Sequence, residues 1–320
     1  MTAPRISFEV AEADDPICWD AALANSPNAH PLQSWEWGAA KLDTGSEVLR
    51  LQVLADKKPM LQAQIFIKPV PFVPFRIGWI PKGPVWCSAA VVEQRMQVLA
   101  AFRRACRQHG IYSLVSQPYL GKQNAGLGFR VPILNREQTF CLDLSAQLAD
   151  LEQNLHSGWR NHKRRFVRNG GQVIDNRSES AVDPLIDMYS AMTARKSFQG
   201  YGGPELLRAV WRRMRIRSSG NVYAQIFQAV AGDRVCASIL VLRAGPTALY
   251  VWGAFDYESR NLYPTEAVQW SAIETLQREG VITYDLGGAD ERNRSGVFEF
   301  KRRMGAKLLT LPPSELIVTV

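Results

Sequence analysis

Residues 31–41 read as a helix with an aromatic face, Trp35 and Trp37 standing among polar neighbours. Two strands follow at 48–54 and 60–68, and within the second Gln62-Ala63-Gln64-Ile65 alternates polar and apolar, as a half-buried strand does. Pro69, Pro71, Pro74, Pro81 and Pro84 then rule out continuous helix or strand, because each proline lacks an N–H and fixes φ. Residues 91–109 have a helical pattern ended by Gly110, and 112–116 read as a buried strand. Beyond this point Ser145 can cap a helix running to Asn169, which Gly170-Gly171 stops. Pro184 and Pro204 open two more helices, proline suiting a first turn. Strands at 222–230, 235–243 and 248–254 are joined by the turn signals Ala231-Gly232-Asp233 and Ala244-Gly245-Pro246. A helix at 264–279 buries Ala267, Trp270, Ile273 and Leu276, and a strand at 282–286 follows. Each half mixes an antiparallel meander with helices and has a late helix feeding a strand. The pattern predicts an α/β chain of two domains, 1–145 and 146–309.

Composition narrows the class. A chain of 320 residues with 46% hydrophobic and 21% charged positions has room for two ordinary cores, so disorder does not dominate. The net charge of +8 fits a polyanionic partner such as RNA, a nucleotide-linked precursor or an anionic membrane surface, and fits an ordinary basic enzyme equally well. Cys18, Cys87, Cys106, Cys141 and Cys236 are scattered with no C-x-x-C pair, which suits reduced thiols better than disulfides or zinc. His30, His109, His156 and His162 show no metal-ligand spacing, so neither a metal nor a cofactor is expected. The first ten residues lack a signal peptide's apolar core, and no uncharged apolar run reaches the length of a membrane span. The expected location is cytoplasmic, including the cytoplasmic face of the membrane.

Four segments of the last third carry the most information: Ala248-Leu249-Tyr250-Val251-Trp252-Gly253-Ala254, Pro264 opening its helix, Tyr284-Asp285-Leu286-Gly287-Gly288, and Gly296-Val297-Phe298-Glu299-Phe300-Lys301-Arg302-Arg303-Met304-Gly305. Upstream stand Leu32-Gln33-Ser34-Trp35-Glu36-Trp37-Gly38, Ile80-Pro81-Lys82-Gly83-Pro84-Val85, Trp159-Arg160-Asn161-His162-Lys163-Arg164-Arg165 and Thr193-Ala194-Arg195-Lys196-Ser197-Phe198. In this order the series resembles the FemABX family, bacterial aminoacyltransferases that build peptidoglycan cross-bridges from aminoacyl-tRNA. The resemblance covers almost the whole chain, and the span from Arg177 to Tyr223 leaves no room for the helical arm that some members carry. It implies two tandem GNAT-like domains, with the segment 309–320 returning to the first. It also implies an aminoacyl-tRNA donor and, as acceptor, the stem-peptide amine of a nucleotide- or lipid-linked peptidoglycan precursor. DNA is not an expected partner. The donor amino acid, glycine, alanine or serine, stays open.

An aminoacyl-tRNA is an activated ester that an amine attacks directly, and the chain has neither a G-x-S-x-G elbow nor a local cysteine-nucleophile signature. What such a reaction needs is alignment, an unprotonated amine and a donor for the oxyanion. By its position alone Lys301 is one more member of a basic run with Arg302, Arg303 and Lys307; the Phe300-Lys301 match to the family makes it the candidate stabiliser. The resemblance likewise implies that Lys41 and Arg195 hold a diphosphate, that Tyr250 positions substrate and that Phe300 lines the site; from the residues alone Lys41 reads equally as a surface helix lysine, and core packing with a satisfied hydroxyl is the commoner use of a tyrosine such as Tyr250. Asp285 either fixes the turn at Gly287-Gly288 or orients the amine, and the turn is favoured because Asp commonly bonds nearby backbone N–H groups. Arg160, Lys163, Arg164, Arg165 and Arg168 carry five charges with no acid between them, Arg160, Arg164 and Arg168 at i, i+4 spacing. That row suits the phosphates of a tRNA acceptor stem, and equally a solvated face. Arg208, Arg212, Arg213, Arg215 and Arg217 form a second basic cluster.

Two rivals come from other classes. An acyl-CoA-dependent N-acyltransferase of the same fold needs a Gly-rich turn into a helix, and Asn261-Leu262-Tyr263-Pro264-Thr265 lacks the glycines. A non-catalytic RNA- or membrane-binding protein explains charge and aromatics but not the ordered motifs. A transferase acting on protein N-termini is a third use of the same donor.

Overall fold

The computed structural model describes residues 8–70, 76–88, 92–119, 129–130, 137–196, 202–215, 221–292 and 295–319. In chain order it begins with β1 (Phe8–Glu12), α1 (Pro16–Ala24), a 3-10 turn at Pro31–Gln33, α2 (Trp35–Asp43), β2 (Glu47–Ala55) and β3 (Lys58–Pro69). Then come β4 (Arg76–Pro81), β5 (Val85–Trp86), α3 (Val92–Gln108), β6 (Ile111–Gln117) and β7 (Phe129–Arg130). A second series holds β8 (Gln138–Asp143), α4 (Leu148–Asn154), α5 (Ser157–Arg168), β9 (Gln172–Asp175), α6 (Val182–Lys196) and α7 (Gly203–Met214). It continues through β10 (Val222–Ala231), β11 (Arg234–Ala244), β12 (Thr247–Phe255), a 3-10 turn at Tyr257–Leu262, α8 (Pro264–Arg278), β13 (Thr283–Gly288), α9 (Ser295–Arg303) and β14 (Lys307–Thr310). The last strand is β15 (Glu315–Val318).

The chain divides into two compact units, Met1–Glu137 with Leu311–Val320, and Gln138–Thr310. The first sheet has the order β1-β2-β3-β4-β6-β15-β7, with β5 also paired to β3. The second has the order β14-β8-β13-β12-β11-β10-β9. The two-sheet α/β architecture is the fold class the sequence pattern predicts. Because β8 pairs with β13 and β14, the second unit starts at Gln138, ahead of the residue 146 that the pattern suggested.

In the first unit α3 packs on a core of Leu51, Val53, Leu61, Ile65, Ile80, Phe102, Ile111 and Leu114. The opposite face is closed by the Leu32–Gly38 motif. Gln33 is fully buried; its Oε1 accepts from Gln64 N at 2.8 Å and its Nε2 donates to Pro81 O at 2.8 Å. This one side chain joins β3 to the end of β4. Ser34 caps α2 by accepting from Trp37 N at 3.4 Å. Gly38 lets α2 lie against the sheet: a Cβ there would stand 1.9 Å from Gln64 Oε1 and 2.7 Å from Arg50 Nη2. Neither neighbour is free to yield, since Arg50 donates to Gln64 Oε1 at 2.9 Å and to Trp35 O at 2.9 Å.

In the second unit α8 covers β10, β11 and β12, and its core gathers Phe140, Leu142, Trp159, Phe166, Ile273, Leu276, Tyr284 and Leu286. Both turn signals form two-residue hairpins, Gly232 and Gly245 taking φ of 60° and 56°. The helix predicted from Ser145 to Asn169 is two helices. Leu155 and His156 leave the helical region with ψ of 142° and 140°, and His156 N bonds Arg303 O at 2.9 Å instead of continuing the ladder. The break orphans the last carbonyls of α4, and Arg160 Nη1 answers them at Gln153 O and Leu155 O, 2.6 Å each. Ser145 caps nothing; its hydroxyl donates to Asp143 at 2.6 Å.

Asp20 gives the first unit a pH dependence. It is buried on α1 and accepts Trp35 N at 2.9 Å; burial pushes its carboxyl up to about 7, against the pull of that bond and of Arg50. A carboxyl with a raised folded-state pKa contributes its full stability below the unfolded value of 3.8 and loses it as pH rises through about 7. Asp20→Asn keeps an acceptor for Trp35 N without a titrating group. Thermal melts should show the variant losing less stability than the parent between pH 4 and pH 8, with a gain at pH 8 of roughly 2–4 °C per kcal/mol recovered.

Candidate active site

The second sheet opens at its centre. β12 and β13 run parallel and pair from Thr247↔Thr283 to Leu249↔Asp285, although β12 continues to Phe255 and β13 to Gly288. At the same level β12 is irregular against β11: Leu240 faces Trp252 while Val241 faces Tyr250, so Val251 is the extra residue of a bulge. On the β13 side, buried Asp285 accepts from Gly287 N at 2.7 Å and from the Thr139 hydroxyl at 2.5 Å, which fixes the turn at the strand's end.

Lys301 comes to this turn from α9. It is 6% exposed, and its Nζ donates to Gly287 O at 3.1 Å and Gly288 O at 2.9 Å. Phe298, one turn earlier on α9, stands edge-on to Phe140 at 4.9 Å, and Phe300 lies tilted against Trp159 at 6.0 Å. The helix is thus anchored by aromatic contacts that aim Lys301 at the strand end. Across the opening, half-buried Tyr250 lies over Gly253, where a Cβ would come 2.0 Å from the Tyr250 hydroxyl. Burial pushes the Tyr250 phenol up to about 12, Gln269 pulling the other way and Tyr189 adding to the rise. Tyr284 donates to Gln269 Oε1 at 3.0 Å.

A second cluster surrounds the start of α8. Tyr263, left-handed at φ 59°, precedes Pro264 at the first helical position. Glu266 is buried in the first turn, its carboxylate taking His162 at 2.8 Å and the Thr265 hydroxyl at 2.7 Å. His162 stacks on Tyr263 at 3.8 Å, and Arg165 lies 5.3 Å from the same ring. The helix start therefore has one N–H fewer and already carries a carboxylate, so it is a poor seat for another anion.

The remaining candidates fall in several places. Arg195 ends α6 with its guanidinium 3.9 Å from the Tyr257 ring, which Arg260 also approaches at 4.4 Å. Phe198, at the end of the Thr193–Phe198 motif, lies outside the described residues. Lys41, in the first unit, is half-buried on α2 and 5.7 Å from the Trp37 ring; burial and then Lys68 lower its pKa. The basic row on α5 is not uniform. Arg160 is spent on the α4 carbonyls, and Lys163 is buried, pairing with Glu152 at 3.1 Å and lying 3.7 Å over Trp270. Arg164 also reaches Glu152, at 2.9 Å, but its side chain is 63% exposed, and Arg165 and Arg168 are exposed. The acid absent from the row itself arrives from α4. In the other cluster Arg208 pairs with Asp183 and Arg215 with Glu179, while Arg217 is outside the described residues. Among the described residues no group of three His, Cys, Asp or Glu side chains is placed to hold a metal, and no helix is long and apolar enough to cross a membrane.

Comparison with known proteins agrees with this geometry. Residues 154–302 match the family described as Acetyltransferase (GNAT) domain. The structure superposes on that of FemX with a TM-score of 0.82 and 16% identity, covering 97% of each chain. It also matches a tandem GNAT protein from the clavulanic acid biosynthesis pathway, with a TM-score of 0.53, 12% identity and 99% of each chain covered. In sequence, a 74-residue stretch is 30% identical to a lipid II:glycine glycyltransferase of Staphylococcus saprophyticus, spanning 22% of this chain and 18% of that relative. The chain is thus a protein of acyltransferase-type α/β fold. More narrowly, its structure is FemX-like, and its second unit carries a GNAT-type domain.

Gln269, Tyr284, His162 and Glu266 escape the sequence reading. His162 and Glu266 are 104 positions apart with no spacing signal; Gln269 had one faint cue, a polar residue beside the Ala267–Trp270–Ile273 stripe of α8. The close contact at Gly253 yields a test. Gly253→Ala must push the Tyr250 ring off the strand, so urea unfolding should show a loss of roughly 1–3 kcal/mol, the usual scale of overpacking. Unchanged stability would mean that Tyr250 does not lie there.

Proposed function

We propose that this chain is an aminoacyltransferase that moves glycine, alanine or serine from aminoacyl-tRNA to the stem-peptide amine of a peptidoglycan precursor. The observation that carries the reading is the buried Lys301, seated on the carbonyls of Gly287 and Gly288 where β12 and β13 part. The amine nitrogen attacks the ester carbon, the carbonyl oxygen becomes an oxyanion, and collapse breaks the bond to the ribose oxygen. Lys301 is a fixed donor for that oxyanion, and a preorganised donor costs no reorganisation as the charge appears. Within the second unit Arg195 holds the precursor's diphosphate, with Phe300 and Tyr250 lining the approach; Lys41 is a separate diphosphate-binding candidate of the first unit. Asp285 serves the turn. Support for an RNA ester over acyl-CoA comes from α8, whose first turn is occupied by Pro264 and the Glu266 carboxylate and offers no phosphate cradle. The fold likeness and the short stretch shared with a glycyltransferase support the acceptor. The reaction takes place in the cytoplasm, at the membrane face when the precursor is lipid-linked.

Purified precursor incubated with the protein and a total charged tRNA pool should gain the mass of one of the three amino acids. Lys301→Ala should lower turnover by roughly 10²-fold or more while precursor binding persists, the loss typical of a deleted oxyanion donor. Near-normal turnover would remove Lys301 from the chemistry. The exposed end of α5 is the surface assigned to the donor. Reversing Arg164 and Arg168 to Glu should weaken tRNA binding and reduce the slope of log K against log salt by roughly 1.5, as expected for two lost phosphate contacts. An unaltered slope would place the acceptor stem elsewhere.

A further inference from the structure

Tyr257 opens the 3-10 turn that follows β12, and it is 48% exposed. Arg195 comes over its ring from the end of α6 at 3.9 Å, and Arg260 from the same turn at 4.4 Å. The two guanidinium groups therefore lie no farther apart than these distances together. Arg260 is tied down once more, its Nη1 donating to Tyr257 O at 3.0 Å. A cation held over a ring is positioned without spending its N–H groups on a carboxylate. Both arginines are exposed, and among the described residues no carboxylate pairs with either. The acids of the turn are placed otherwise. Asp256, its cap, takes Arg234 at 2.6 Å and the Ser259 hydroxyl at 2.6 Å, while Glu258 is exposed and bonds neither arginine. By contrast Arg208 and Arg215 of the same unit are answered by Asp183 and Glu179. Two like charges fixed this close repel each other, and a ligand carrying two negative charges relieves the repulsion. Because α6 packs on β11 and β12, the pair stands past the end of β12, at the end of the sheet where β12 and β13 part.

We propose that Arg260, held by Tyr257, is a second cation for the diphosphate assigned to Arg195, and that Tyr257 sets the spacing at which the two arginines take one phosphate each. The inference rests on the reading of Arg195 given above. A diphosphate carries its charge on two adjacent phosphates, and each guanidinium offers a planar fork that takes two oxygens at once. Arg260 gives one N–H to Tyr257 O and keeps the rest of its fork for a ligand. A single arginine serves one phosphate group and does not ask whether a second follows. Two at a fixed spacing do, so Arg260 determines specificity for a diphosphate over a monophosphate. The ring of Tyr257 need not touch the ligand; it is a positioning residue that acts through the two cations.

The test is the affinity of the full chain for purified nucleotide-linked precursor, measured by titration calorimetry, with inorganic pyrophosphate and inorganic phosphate as competitors. Pyrophosphate should displace the precursor from the parent far more readily than phosphate does. Arg260→Ala should weaken precursor binding about tenfold, the scale of one lost charge-assisted hydrogen bond, and should narrow the preference for pyrophosphate. In transfer assays the same variant should raise KM for the precursor and spare kcat. Tyr257→Ala should also weaken binding, yet cost nothing further when Arg195 and Arg260 are both Ala, because it acts through them. Tyr257→Phe, which keeps the ring, should restore the affinity that Tyr257→Ala loses. An Arg260→Ala protein that binds precursor and pyrophosphate as the parent does would overturn the proposal. So would a Tyr257→Ala loss of equal size in the protein lacking both arginines, which would reduce the ring to packing. A loss with Arg195→Ala but none with Arg260→Ala overturns this inference alone. Undiminished binding by Arg195→Ala would instead refute the reading of Arg195 from which it starts.

Discussion

A buried ammonium needs acceptors, and Lys301 finds them because two parallel strands stop pairing. The carbonyls of Gly287 and Gly288 are available to it at the end of β13, beyond the three residue pairs that join this strand to β12. Were the ladder to run on, those oxygens would be drawn into it and the lysine would lose its seat. The bulge at Val251, the Asp285 turn and the aromatic anchors of α9 all sustain that local separation. Asp285 and Lys301 each satisfy a backbone group there that the β12–β13 ladder does not use.

Much of this was legible in the chain. The meander of β10, β11 and β12 follows from long apolar runs and two-residue Gly turns, whereas the Phe300-Lys301 pair is singled out by its family resemblance and not by its position in a basic run. The Leu32–Gly38 motif was visible as a string, but its meaning was not. Gln33 acts on β3 and β4, and Gly38 is required by Gln64 and Arg50, all remote in sequence. The arginine row on α5 shows the opposite failure. Helical spacing places Arg160, Arg164 and Arg168 on one side, yet it cannot see the break at Leu155 that claims Arg160, nor the Glu152 that meets Arg164. The short strands β8, β9 and β14 were missed because a few residues carry no period of their own, and their pairing partners decide them.

The start of α8 illustrates how a shared fold takes on a particular chemistry. In a scaffold of this kind a helix N-terminus after the central strands is a natural anion site. Here a proline removes one N–H, a left-handed tyrosine closes the turn, and a buried carboxylate braced by His162 supplies the charge that a phosphate would bring. A single substitution would not reopen the seat, since removing Glu266 leaves the proline and the stacked Tyr263–His162 pair in place.

The position of β15 bears on the order in which the molecule assembles. This strand sits between β6 and β7 in the first sheet, and Thr319 bonds Ile111 across 208 positions of chain. The whole second unit is spelled out between the two partners, as an insertion within the first. Its own sheet is built from one continuous stretch and can condense on short loops. The first sheet must wait for a strand that emerges only after the insertion is complete, and closing so long a loop slows the step. The earlier-synthesised half is thus the later to finish, and until then β6 presents an open edge to whatever else is in solution.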